Sequence, residues 1–124
     1  TKMRAREHEI ALTAWGSDYF DPNTNADVFC NNPDNSDNAA TKPFAWRSSY
    51  QNEEFAKKSI AARDERDSAK RIELYENLQR EFMNDSPFIV MLQTVTTAAC
   101  RKDVTGMRLG VLSDSHSYAG IAKA

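Results

Sequence analysis

The run Phe88-Ile89-Val90-Met91-Leu92-Gln93-Thr94-Val95-Thr96-Thr97 decides whether this chain is all helical or mixed. Apolar residues that pass directly into β-branched ones read as a strand buried on both faces at its start. With that run taken as a central strand beside the helices that precede it, the fold class is α+β.

Immediately upstream the charge pattern is helical. Glu53/Lys57, Glu54/Lys58, Asp67/Arg71 and Glu76/Arg80 are all spaced i to i+4 with the acid first, the order that stabilises a helix. The spacing predicts a first helix over 52–65, with a weak apolar face in Phe55, Ala56 and Ile60. A second is predicted over 67–84, with a stronger face in Ile72, Tyr75, Leu78 and Phe82. Asp67 is the expected N-cap of the second helix and Ser86-Pro87 its stop.

Further upstream, residues 8–15 carry β-branched and aromatic side chains in partial alternation and end at Gly16-Ser17-Asp18, a turn signal. They read as a strand that delivers Trp15 and Asp18 to its C-terminal edge. Residues 21–43 are rich in Asn and Asp and contain three prolines, so a long surface loop is expected there, with one short helix near 25–29. Downstream of the central strand, Arg101-Lys102-Asp103 forms a charged turn. A short strand over 104–112, broken at Gly106, and an irregular tail from Ser113 follow. The chain thus divides into a strand and Asn/Asp-rich loop (1–50), a helix pair (52–85), and a strand with its tail (87–124).

At 124 residues with 40% apolar and 27% charged side chains, the chain is long enough for one real core. Its net charge of −2 gives no overall attraction to nucleic acid or to an anionic membrane, so nucleic acid is not an expected partner. The charge is unevenly placed: residues 7–41 contain seven acids and no Lys or Arg. Such a block serves solubility or draws a cationic ligand group. No apolar run approaches the roughly 18 residues that span a bilayer, and residues 1–9 lack the apolar core of a signal peptide, so the chain reads as soluble. It starts without Met, as a fragment or processed product would. Cys30 and Cys100 have neither CxxC nor metal spacing, which leaves a disulfide or two small buried hydrophobes.

Little points to catalysis. The two histidines, His8 and His116, lie in no nucleophile or metal motif, and the triad-like Asp114-Ser115-His116-Ser117 cannot form a relay between adjacent residues. Asp34-Asn35-Ser36-Asp37-Asn38 offers hard oxygen ligands but lacks the Gly and Glu that complete an EF-hand loop, so a plain loop is the simpler reading. No enzyme activity, metal or cofactor is expected. Trp15-Gly16-Ser17-Asp18 is the stronger candidate: an aromatic wall beside a carboxylate at a strand end suits an organic ammonium, although a core Trp with a turn-capping Asp has the same spacing. Phe44, Trp46, Arg47 and Tyr50 form a second aromatic and cationic cluster, readable as secondary ligand contacts or as a small satellite core.

Trp15-Gly16-Ser17-Asp18-Tyr19 with Asp21-Pro22 resembles the signature of the peptide-binding class (family 5) of ABC-importer solute-binding proteins. Later features follow in the same order: Tyr50-x-Asn52-x-x-Phe55, Arg71-x-x-Leu74-Tyr75-x-x-x-Gln79, Ser86-Pro87 and Arg101-Lys102-x-Val104-x-Gly106. Ala56 departs from the pattern, since the family often has an acid there. The resemblance implies the C-terminal lobe fragment of a type II periplasmic-binding fold, a mixed sheet with packed helices. It also implies a periplasmic or cell-surface receptor that closes on a small peptide or other small solute and passes it to a membrane permease. The remainder of the same receptor chain would complete the cleft. The aspartate matching Asp18 would pair with the ligand's α-amino group, and the tryptophan matching Trp15 would line the cleft, with Trp46 and Arg47 as secondary contacts. From another class, the 52–84 helix pair as a docking module for a protein partner is the alternative.

Overall fold

A computed structural model describes residues 2–112 and 115–124. It is a small α+β chain, mostly helical, with one two-stranded antiparallel sheet. The helices are α1 (Asn23–Cys30), α2 (Phe44–Arg47), α3 (Glu53–Asp64) and α4 (Ser68–Asn84), preceded by a 3-10 turn over Lys2–Ala5. The strands are β1 (Val104–Thr105) and β2 (Ala122–Lys123). Two compact units result: Thr1–Trp15 with Asp21–Ile89, and Gly16–Phe20 with Val90–Ala124.

The first unit is built on the predicted helix pair. Asn52 caps α3 by accepting from the backbone N–H groups of Glu54 and Phe55 at 3.0 and 3.2 Å, and Asp67 caps α4 by accepting from Lys70 N–H at 2.8 Å. Three of the four expected acid–base pairs form, Glu53–Lys57, Glu54–Lys58 and Glu76–Arg80, at 3.5, 2.7 and 2.9 Å. Lys58 also reaches Glu81 and so ties α3 to α4. The fourth does not: the Asp67 carboxylate is occupied as a cap, and Arg71 turns to Asp21 instead.

Ala26 and Cys30 of α1, Phe55 and Ala62 of α3, and Tyr75 and Leu78 of α4 form the core, with Tyr50, Leu74 and Phe82 packed against it. The buried face of α3 is Phe55, Ser59 and Ala62, turned by about one residue from the expected Phe55, Ala56 and Ile60. Small residues at 59 and 62 admit close neighbours, whereas Ile60 is 38% exposed. On α4, Ile72 is likewise displaced to the surface while Tyr75 and Leu78 go inside.

The 21–43 region is more ordered than its composition suggests. α1 is longer than the 25–29 helix expected, because Asp21 accepts from Asn23 N–H at 2.8 Å and Pro22 is placed to start the turn. α2 was not anticipated; Pro43 precedes it and its Phe44, Ala45 and Trp46 are all buried.

Two expected strands are absent from the described residues. Residues 8–15 and 88–97 are irregular, with Ile10, Leu12, Ile89 and Leu92 each more than 85% exposed. A strand needs a neighbour to take its N–H and C=O groups, and no described segment pairs with either run. The expected mixed sheet is thereby reduced, among the described residues, to the β1–β2 pair.

The second unit holds that pair, with Val104 opposite Lys123 and Thr105 opposite Ala122. β1 stops where expected, at Gly106, whose φ is 80°. A further bridge joins Arg108 and Ser117 by reciprocal backbone bonds of 3.1 and 2.9 Å, so the tail is less irregular than its sequence suggests. Ser113, where that tail was expected to begin, and Asp114 of the triad-like stretch lie outside the described residues. No described helix is long and apolar enough to cross a membrane.

Candidate functional site

Trp15 is fixed at three points. Its indole N–H donates to Asn25 Oδ1 at 2.8 Å, and its ring meets the rings of Phe29 and Phe44 edge-on, with centroids 6.0 and 5.4 Å away. Asn25 and Phe29 belong to α1 and Phe44 opens α2, so the Asn-rich region seats the tryptophan. The arrangement continues as an aromatic chain: Phe29 meets Phe88, which stacks on Phe82, and Tyr50 meets both Phe82 and Phe88. Trp15 as a whole is half-buried.

Arg47 joins the same group. Its guanidinium lies 4.8 Å from the Phe44 centroid and its Nε donates to the Lys42 carbonyl at 3.1 Å. Burial, with nearby Arg4 adding to it, holds its pKa below the ordinary arginine value. Phe44 therefore carries Trp15 on one contact and Arg47 on another.

Trp46 is used differently. It is 3% exposed, donates its indole N–H to the Ser36 carbonyl at 2.8 Å, and has the Arg6 guanidinium and the Lys42 ammonium 4.1 and 4.5 Å from its ring centre. Arg6 also binds Asn35 through both its carbonyl and its side chain, and pairs with Asp37 at 3.5 Å. These contacts fold the 34–38 loop over Trp46, the satellite core that the aromatic and cationic cluster allowed. Asp34 accepts from Ser36 N–H at 2.9 Å, which lowers its pKa and closes a local turn. Among the described residues no three His, Cys, Asp or Glu side chains gather as metal ligands.

Gly16, Ser17 and Asp18 belong to the second unit; Ser17 is half-buried and Asp18 exposed. The first unit holds Asp21, three residues on, by a contact that sequence spacing did not disclose. Arg71 Nη2 donates to Asp21 Oδ1 at 2.7 Å, the guanidinium lies 4.9 Å from the Tyr75 ring centre, and Tyr75 Oη donates to Asn23 Oδ1 at 3.4 Å. The hydrogen bond from Arg71 outweighs the effect of burial and holds the Asp21 carboxyl below its ordinary value.

An open hollow of about 620 Å³ lies on the first unit, lined by Asp27, Asn31, Pro33, Thr41, Lys42 and Pro43. Several of its polar groups are already engaged: Asn31 donates to Asp27 at 2.9 Å and Lys42 to the Asp37 carbonyl at 2.9 Å. Both cysteines are thiols, Cys30 buried in the core and Cys100 exposed, so only Cys30 acts as a buried hydrophobe. Comparison of the chain with known protein families, with curated proteins and with solved structures gives no match.

Proposed function

We propose that the chain is the C-terminal part of an extracytoplasmic receptor with a type II periplasmic-binding fold. In this reading it binds small peptides or related amine-bearing solutes at the periplasm or cell surface and delivers them to an ABC-importer permease. One observation carries the reading: Trp15 and Asp21, which flank residues 16–20 in the chain, are each anchored by specific hydrogen bonds, to Asn25 and from Arg71. A recognition segment needs such fixed ends, because ordering it at the moment of binding would cost affinity. Asp18 neutralises the ligand's ammonium, Trp15 offers the ligand apolar area, and Gly16 and Ser17 join the two in sequence. The remainder of the receptor chain supplies the opposing wall, and closure follows from tighter binding to the closed state.

The helix-pair alternative has less support. The apolar faces of α3 and α4 are spent on their shared core, and the exposed Ile72 and Met83 of α4 are separated along their stripe by Glu76 and Gln79.

The test is calorimetry on the receptor that carries this segment, titrated with a peptide bearing a free amino terminus and with its N-acetylated form. Asp18→Asn is expected to weaken the free-amine peptide about ten- to a hundredfold, the worth of a charge-assisted bond, and to leave the acetylated one unchanged. Equal affinities for wild type and variant would remove Asp18 from the site.

A further inference from the structure

Residues 1–6 and 42–52 carry five cations, Lys2, Arg4, Arg6, Lys42 and Arg47, and no acid. The first unit brings these two distant stretches together, because the 3-10 turn over Lys2–Ala5 packs against α2. Trp46 seats two of the charges, with the Arg6 guanidinium and the Lys42 ammonium 4.1 and 4.5 Å from its ring centre. Arg6 holds a left-handed backbone, φ 61°, that a residue with a side chain disfavours. Gathering like charges and straining the backbone both oppose folding, and an anion bound among those charges would offset the repulsion.

Part of the charge is answered within the chain. Arg6 pairs with Asp37 and donates to Asn35, and Lys42 donates to the Asp37 carbonyl. Arg4 and Arg47 are not answered. Among the described residues neither forms an ion pair, and Glu7, the next acid in sequence, forms none with them. Arg47 uses Nε on the Lys42 carbonyl, which leaves its two terminal nitrogens, and Arg4 is exposed. Arg4 lies near enough for its charge to add to burial in lowering the Arg47 pKa.

We propose that Arg4 and Arg47 together bind a phosphate dianion, either inorganic phosphate or a phosphate monoester. Each guanidinium is a planar fork of N–H donors that grips one edge of a phosphate tetrahedron, so two guanidinium groups from separate elements suit one phosphate. A carboxylate offers one charge and would leave half of the repulsion in place, whereas a phosphate monoester carries close to two at neutral pH. Lys2, exposed on the same 3-10 turn, adds attraction at longer range. The inference does not depend on the receptor reading, whose Asp18 belongs to the second unit.

The test is an NMR titration of the whole chain with inorganic phosphate and, separately, with glycerol 3-phosphate, at neutral pH and an ionic strength held constant with sodium chloride. The Nε–H signals of Arg4 and Arg47 should shift and saturate, and the tighter ligand identifies the source of the phosphate. Arg4→Gln and Arg47→Gln should each weaken binding about tenfold, while Arg80→Gln, on α4 and paired with Glu76, should leave it unchanged. Arg4 is a surface residue, so its variant should keep the helical circular dichroism and decides the matter even where Arg47→Gln unfolds the chain. Phosphate should also raise the melting temperature of the wild type and not that of Arg4→Gln. Shifts that never saturate, shifts reproduced by sodium chloride alone, or affinity indifferent to Arg4→Gln would each overturn the site. Calorimetry at Asp18 is untouched by any of these outcomes.

Discussion

Arg71 and Asp21, fifty residues apart in sequence, meet at 2.7 Å and lock the entry of α1 to the first turns of α4. The two side chains are 25 and 34% exposed, so the bond is only partly shielded from water. Asp21→Asn or Arg71→Met is therefore expected to cost about 1 kcal/mol in urea unfolding, with a double-mutant cycle showing that the two losses are not additive. Additive losses would mean that the pair does not couple.

The same contact gives a pH dependence. The hydrogen bond from Arg71 holds the folded Asp21 carboxyl below its ordinary value. Its contribution is thus present above the unfolded carboxyl pKa of about 3.9 and is lost as pH falls through the lower folded value. The stability difference between wild type and Asp21→Asn should be constant near neutral pH and shrink below about pH 4. A difference that persists unchanged into strong acid would assign the effect to the shape of the side chain and not its charge.

Burial distinguishes residues that the helical pattern treats alike. Ile72 and Leu78 both belong to the predicted apolar face of α4, yet Ile72 is 56% exposed and Leu78 4%. Leu78→Ala should cost about 3 kcal/mol, whereas Ile72→Ala should stay within about 0.5 kcal/mol. Thermal unfolding of the two variants side by side checks this; comparable losses would place Ile72 in an interface.

The thiols should behave as opposites. Burial in the core pushes the Cys30 thiol up to about 12, while Cys100 is exposed. A thiol reagent at neutral pH should label Cys100 quickly and Cys30 only on unfolding. Because the folded Cys30 pKa lies above the unfolded one, its contribution to stability is complete below about pH 8.5 and declines as pH rises toward the folded value. Two equally fast thiols would contradict the packing of α1 against α3 and α4.

What was legible in the sequence follows from how local each signal is. The helix pair could be read almost to the residue because the Asp67 cap and the i to i+4 charges act within one turn, although the structure makes Asn52 a cap where the sequence reading began the first helix. The rotation of α3 could not, since it depends on which small residues, Ser59 and Ala62, meet a neighbour. The runs at 8–15 and 88–97 carry strand composition, but a strand is made by its partner, and composition cannot supply one. At the candidate site, Trp15 was legible as an aromatic at a turn, while its anchor Asn25 and the Arg71 clamp on Asp21 were not. The first spans ten residues and the second fifty, and neither an Asn in a short expected helix nor a charge on a helix surface announces its partner in sequence.

The second unit supplies a last check, at Gly106. Its φ of 80° lies where side chains are disfavoured, and a Cβ added there would collide with the Gly120 carbonyl. That carbonyl lies on the chain returning to β2, so the collision falls across the hairpin that β1 and β2 close. Gly106→Ala must either abandon the left-handed backbone or push the two segments apart, and each route breaks the Val104–Lys123 register. In a two-dimensional amide NMR spectrum, the signals of residues 104, 105, 122 and 123 should shift toward unstructured positions. The core of α1, α3 and α4 contains no residue from this hairpin, so the helical circular dichroism should persist. Unmoved signals at those four residues would show that the hairpin tolerates a side chain at 106 and that its glycine is not what ends β1.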